Sequence, residues 1–315
     1  QTILKQLVET ADVLVENFRP GTLERWGLGP DVLHALNPRL VIARISGYGQ
    51  TGPESAKAGY ASVGEAKGGL RYMIGEADRL PARAGVSLGD TMTGTFAALG
   101  TMMALFSREK TGKGQVVDAA IYESVMAFIE SIIPEYALAG HTRERTGPIL
   151  PRVAPSGVYP CADGMVIIGA NQNTLFRRLA EMMGFDWADD PRYATHDARG
   201  DNQLELDNKI AAWTGTRTVA EVLAQCEANG VPCGPVNTAR DMLEDAHIKA
   251  REAIIRVAHP LLAEVPMQGV FPKLSATPGK VNHTGPELGA DTASILSSLG
   301  IETSEQSRLR EQGII

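Results

Sequence analysis

The chain has 315 residues, 43% of them hydrophobic and 21% charged, enough to bury a sizeable core as one large or two ordinary domains. With 37 acidic against 30 basic residues the net charge is −7, which argues against a nucleic-acid-binding surface, because that needs clustered excess Lys and Arg. The three cysteines, Cys161, Cys226 and Cys233, cannot all pair and have no C-x-x-C spacing, so reduced thiols in a cytoplasmic compartment are expected.

The opening "QTILKQLVETADVLVE" reads as a helix already under way that runs into a strand. The start of the protein is therefore expected before Gln1, which leaves a mitochondrial leader open. Just after that strand, "ENFRPG" places Arg19 ahead of Pro20, a good first helical residue. An Arg beyond the carboxyl end of a strand suits a phosphate, through its rigid donor fork; residue type alone favours a surface salt bridge. "GPDVLHALN" is predicted helical and "RLVIARI" a fully apolar strand.

The next stretch, "GYGQTG" from Gly47 to Gly52, formally matches the phosphate-cradling G-x-G-x-x-G. Pro53 follows at once, and no clear βαβ unit with a ribose-binding acid about 20 residues further on is evident, so a plain glycine-rich loop is favoured. Then comes "TMTGTFAALGTMMALFS", Thr91 to Ser107, with no ionisable group. Its length touches the lower limit for a membrane span, but its Thr, Ser, Gly and Ala content favours a buried core helix, and no membrane association is expected.

Asp90 stands at the mouth of that helix. Asp is a preferred N-cap, and composition alone favours that reading. The alternative is a working carboxylate. Helix N–H groups would stabilise developing negative charge, Gly89 and Gly94 would admit a bulky substrate, and the carboxylate would act as a covalent nucleophile. A strand "GQVVDAA" and a helix "IYESVMAFIESII" follow. Apolar strands with helical crossovers predict an α/β fold with a parallel sheet covered on both faces.

"TGPILPRVAPSG" packs three prolines and two glycines into twelve residues and marks a domain boundary near Thr146. Beyond it, "GVYPCADGMVIIGA" predicts two strands around an Asp-Gly turn, and "NTLFRRLAEMMG" a helix ending on Gly184. "TVAEVLAQCEANG" opens with a capping box, Thr218 and Glu221, and closes on Gly230. The tail from about Ile254 is strand-like and Pro-rich and ends in two short helical stretches. The six histidines form no H-x-x-x-H or H-E-x-x-H pattern, and no G-x-S-x-G elbow exists, so neither a metal site nor a serine hydrolase is expected.

Six collinear stretches carry a resemblance. They are "ADVLVENFRPGTLERWGL", "ISGYGQTGP", "GVSLGDTMTG", "EKTGKGQVVDAAIYES", "NGVPCGPVNT" and "PKLSATPG". Together they resemble the class III CoA-transferases, the CaiB/BaiF group that includes formyl-CoA transferase, carnitine CoA-transferase and α-methylacyl-CoA racemase. The resemblance implies a Rossmann-like large domain built from residues 1–145 and 250–315, with a small α+β domain, residues 146–249, inserted between. It also implies a homodimer whose two subunits interlock as rings, with no permanently bound cofactor.

Mapped onto this sequence, the resemblance makes Asp90 of "LGD" the nucleophile. It would pass CoA from an acyl-CoA donor to a carboxylate acceptor through aspartyl-anhydride and aspartyl-CoA thioester intermediates. Arg19, Tyr60 and Gly89 would contact CoA, Arg19 at its phosphates and Tyr60 near the thioester. The racemase branch carries His where this chain has Tyr60 and needs it as a proton carrier, so transfer is favoured over racemisation. A non-catalytic interaction subunit is the third reading. The glycine loop of formyl-CoA transferase has no match, and "ILPRVAPSG" occupies its place, which points away from formyl-CoA and oxalate. Arg145 or Arg152 would pair with the far carboxylate of a dicarboxylic acyl group such as succinyl, or would stay a solvated loop residue.

Overall fold

The computed structural model describes all 315 residues, which divide into two compact units, residues 1–148 and 149–315. The first runs α1 (Thr2–Thr10), β1 (Val13–Glu16), α2 (Thr22–Arg25), α3 (Pro30–Leu36), β2 (Val41–Ser46), α4 (Ala61–Lys67), α5 (Leu70–Met73), α6 (Leu88–Thr111), β3 (Val116–Ala120), α7 (Ile121–Met126) and α8 (Ile132–Ala139). Its sheet has the order β1-β2-β3 and is parallel throughout, with Glu16 opposite Arg44 and Ser46 opposite Ala120. Four consecutive residues of β2, from Val41 to Arg44, are buried, which requires cover on both faces of the central strand. On one side Val8, Leu23, Leu33 and Ile42 form a core cluster.

Two expectations change on this scaffold. The glycine-rich stretch after β2 contains two short helices, α4 and α5, before α6 begins. The predicted helix "IYESVMAFIESII" breaks into α7 and α8, with Glu130 at φ 55° between them. Pro134 explains the break: in a continuous helix its ring would clash with the Glu130 carbonyl, four residues back.

α6 is also not the buried core helix expected. One side buries Gly89, Thr93, Ala97, Ala104 and Arg108, while Met102 and Met103 remain 62% exposed and Phe106 69%. No helix is long and apolar enough to cross a membrane.

The second unit opens with the hairpin β4 (Ser156–Pro160) and β5 (Met165–Gly169) around the Asp163-Gly164 turn. Helices α9 (Asn173–Met183), α10 (His196–Asp201), α11 (Gln203–Thr214) and α12 (Val219–Ala228) follow, and β6 (Cys233–Pro235) completes the antiparallel sheet beside β5. The capping box Thr218–Glu221 forms at the start of α12. Tyr159, Ile168, Phe176, Leu206 and Ile210 share one core. Within it Arg199 is fully buried and donates to the carbonyls of Ala154, Tyr193 and Asn171. Then come α13 (Ala239–Glu244), α14 (Ala246–Ala250), the hairpin β7 (Ile254–His259) and β8 (Ala263–Gln268), and α15 (Thr292–Ser298) and α16 (Thr303–Glu311).

Candidate active site

In a parallel sheet all strands end on one side, and the segments leaving those ends are free to surround a ligand. Here they enclose a cleft of about 230 Å³. Asn17 to Pro20 follow β1, Ile45 to Gly47 close β2, and Ile121 follows β3. Lys57, Gly59, Tyr60, Ala61 and Asp90 complete the lining, so Arg19, Tyr60 and Asp90 meet in one place.

Each wall has a local cause. Glu16, the last residue of β1, accepts the Phe18 N–H at 2.8 Å and the Arg44 Nε–H at 2.6 Å. One carboxylate thus ties the turn carrying Phe18 and Arg19 to the central strand. Arg44 also donates to both oxygens of Glu24 at 2.7 and 3.2 Å, and that hydrogen bond holds the Glu24 carboxyl below its usual range. Arg19 is exposed and makes no ion pair, so the salt bridge that residue type favoured does not form.

The "GYGQTG" loop owes its glycines to close approach. A Cβ on Gly47 would lie 3.0 Å from the Gly59 Cα, so two backbones cross there and deliver Tyr60 to the cleft. Gly49 takes φ +84°. Its N–H goes to Ser46 Oγ and that of Gln50 to Asp118 Oδ2, both at 2.9 Å. The loop spends these donors on the protein itself and builds no phosphate cradle. Tyr60 precedes α4 and is 80% exposed, with no side-chain partner.

Asp90 is not a cap. It is the third residue of α6, behind Ser87 at the N-cap position, and its exposed carboxylate makes no hydrogen bond or ion pair. The first-turn donors are otherwise taken: Leu88 N–H by Val86, Gly89 N–H by Glu65 Oε1, and Thr91 N–H by Ser87. The Asp90 N–H alone is left without a partner, beside an anion that the helix N-terminus favours. Asp90 is the one carboxylate among the cleft-lining residues, in the company of Arg19 and Lys57. An unpaired, accessible carboxylate beside a free N–H, in a cleft that Arg19 and Lys57 also line, suits nucleophilic attack on an acyl carbon.

Three further expected site residues are engaged by other parts of the protein. Gly89, expected to admit substrate, is buried: a Cβ there would lie 3.2 Å from Ala61 O, Glu65 Cγ and Ile121 Cγ2. Arg145 spends its guanidinium on the carbonyls of Tyr72, Glu76 and Arg79, at 3.1–3.2 Å, and stacks over the Tyr72 ring. It clamps the loop leading to α6, and these contacts occupy four of its five N–H donors. Arg152 lies in the second unit, where it pairs with Asp201 at 2.7 Å.

Reasoning from the sequence also missed lining residues. Phe18 and Asn17 sit in the quoted "ENFRPG" beside the Arg that drew attention, and Lys57 had no signal beyond a loop lysine. Lys57 donates to Glu54 at 2.8 Å, Lys67 binds the same carboxylate, and together they push the Glu54 pKa down to about 2. No cluster of His, Cys, Asp or Glu is placed to hold a metal.

The sequence model of CoA-transferase family III matches residues 1–292. Succinyl-CoA–D-citramalate CoA-transferase of Chloroflexus aurantiacus is 53% identical over the whole of this chain and 79% of its own length. Succinate–glutarate CoA-transferase of Agrobacterium fabrum is 33% identical over 94% of this chain and 74% of its own. A crystal structure of a CaiB/BaiF family protein from Brucella suis superimposes with a TM-score of 0.85 at 32% identity, covering 95% of this chain and 78% of that one. The cleft at the strand ends with a lone carboxylate and the match along nearly the whole sequence agree: the chain belongs to CoA-transferase family III and is a CoA-transferase.

Proposed function

We propose that this CoA-transferase carries CoA from succinyl-CoA to a second dicarboxylic acid of citramalate type, with Asp90 as covalent nucleophile. The donor and acceptor rest on the names of the similar Chloroflexus and Agrobacterium enzymes. The observation that carries the role of Asp90 is its exposed, unpartnered carboxylate in the cleft at the strand ends.

An Asp90 carboxylate oxygen attacks the thioester carbonyl of succinyl-CoA, the C–S bond breaks, and CoA leaves as thiolate. The succinyl–aspartyl anhydride left behind is attacked by that thiolate at the Asp90 Cγ. Succinate departs and an aspartyl-CoA thioester forms. The acceptor carboxylate attacks the same Cγ and expels the thiolate again. Attack of the thiolate on the acceptor acyl carbon of the second anhydride yields acceptor-CoA and restores Asp90. No net proton is moved, consistent with a cleft lined by Tyr60 and without His. Each intermediate is activated toward water, so the reaction needs exclusion of solvent while it is present. The Asp90 N–H is available to the oxyanion that develops at its own carboxyl group, and Arg19 and Lys57 to the anionic donor.

The exposed Met102, Met103 and Phe106 of α6 support a homodimer in which a second copy covers this face. The three parallel strands with helical crossovers support a Rossmann-like large domain. Three free thiols support a reducing, cytoplasmic compartment. The test is incubation with succinyl-CoA and a hydroxylamine quench, followed by peptide mass mapping. A hydroxamate on Asp90 is expected. An unmodified Asp90 across a panel of acyl-CoAs, with CoA binding intact, would refute the covalent mechanism.

A further inference from the structure

Glu65 on α4 is a charged residue in an apolar setting, with 3% of its surface exposed. Its Oε1 accepts the Gly89 N–H at 3.2 Å and its Oε2 accepts from Arg71 Nη2 at 2.6 Å. The Nε of Arg71 is buried with no partner, so the pair is held through one end of the guanidinium only. A buried ion pair of this kind is weak as a stability device, because desolvation offsets most of the Coulombic gain. What it does accomplish is positional. It supplies the acceptor for an N–H in the first turn of α6, one residue before the nucleophile.

The surrounding packing leaves no slack in that contact. A Cβ on Gly64 would lie 2.4 Å from Ile121 Cγ2, and one on Gly68 2.7 Å from the Tyr122 carbonyl oxygen. Gly64 within α4 and Gly68 at its C-cap, four apart, press the helix onto α7. Gly89 closes the third side against Ala61, Glu65 and Ile121. Two glycine contacts thus seat α4 on α7, and the start of α6 is fixed against both by the close approach at Gly89 and one side-chain hydrogen bond.

We propose that Glu65 is a positioning residue for the transfer reaction: by capping Gly89 it fixes the first turn of α6, so that the Asp90 carboxylate projects into the cleft and the Asp90 N–H stays free for the oxyanion. Glu65 touches neither substrate nor the reacting atoms. This rests on the reading of Asp90 as the nucleophile. Displacing a nucleophile by about 1 Å costs on the order of 100-fold in rate.

The test compares Glu65→Gln, which keeps the acceptor for Gly89, with the double variant Glu65→Leu/Arg71→Leu, which removes the acceptor without stranding a buried charge. Single-turnover formation of the Asp90 hydroxamate from succinyl-CoA is measured in each, alongside CoA affinity by titration calorimetry. Glu65→Gln is expected to keep at least about a fifth of the wild-type rate, and the double variant to lose about 30- to 100-fold, with CoA affinity within about threefold in both. A folded double variant acylated within about threefold of the wild-type rate overturns the proposal. So does equal impairment of both variants, which would assign the effect to charge or general packing. Should the double variant not fold, Glu65→Gln decides alone, since a loss beyond tenfold contradicts a role as N–H acceptor. Absence of hydroxamate in the wild-type protein would instead refute the nucleophile itself, and this proposal with it.

Discussion

Replacing Gly47 by Ala should cost activity and stability together, for a reason that can be worked out atom by atom. The new methyl would lie 3.0 Å from the Gly59 Cα, where carbon atoms rest at about 3.5–4.0 Å. The obstacle is backbone, so it cannot rotate aside, and relief requires about 0.5–1 Å of separation between the two crossing segments. Gly47 has no positive φ, so the collision is the whole penalty. Overpacking of this kind costs about 1–3 kcal/mol. Because Gly59 leads directly into Tyr60, the same displacement reshapes the cleft, and transfer should fall by about 100-fold. Urea unfolding and steady-state transfer from succinyl-CoA read the two effects. Gly94→Ala is the control: its methyl would meet nothing within 4 Å inside α6, so in the isolated chain helix propensity should raise stability by about 1 kcal/mol. Gly47→Ala with wild-type stability and rate would refute the crossing as the device that places Tyr60.

Asp90→Asn should lower transfer by about 10⁴-fold or more and abolish the hydroxamate while CoA still binds, checked by single-turnover kinetics and titration calorimetry. Phe106→Glu on the exposed face of α6 should weaken self-association by about 100-fold or more, checked by sedimentation equilibrium; an unaltered dimer would place the interface elsewhere. The Arg44 hydrogen bond holds Glu24 below the usual carboxylate range, so its contribution is fully present above about pH 4.3 and is lost as pH falls through the lower folded value. Melting temperature should therefore decline below that pH, and Glu24→Gln should make the acid decline shallower.

The scaffold was readable where its physics is local. The apolar run of β2 announces a strand buried on both faces, and Thr218 with Glu221 announces a helix start. Each signal lies within a few residues. Asp90 was readable as an anomaly, a charge beside an uncharged run, though not as free of capping duty. That freedom depends on Glu65, which is distant in sequence and looks like an ordinary surface glutamate in "GEAKGG". Arg145 is the opposite case. Its place in a Gly- and Pro-rich stretch suggests an available cation, whereas its partners are carbonyls about 70 positions back. The break between α7 and α8 was within reach, since Pro134 stands just past the predicted helix and forbids its continuation.

The shared grip on Glu54 has a consequence for how a polyanion gains entry. Lys57, on the cleft wall, and Lys67, which sits 5.6 Å over the Tyr48 ring and 5.7 Å over that of Tyr122, hold one carboxylate between them. An incoming phosphate that takes Lys57 displaces Glu54 from only one of its two partners, and Lys67 retains it. The exchange would leave no stranded charge at either stage and would trade one ion pair for another. Both pairs are partly solvent-exposed, so added salt would weaken them and the attraction for a phosphate alike. A phosphate bound at Lys57 would thus compete with Glu54 for one ammonium group, and Lys67 would keep the displaced carboxylate paired.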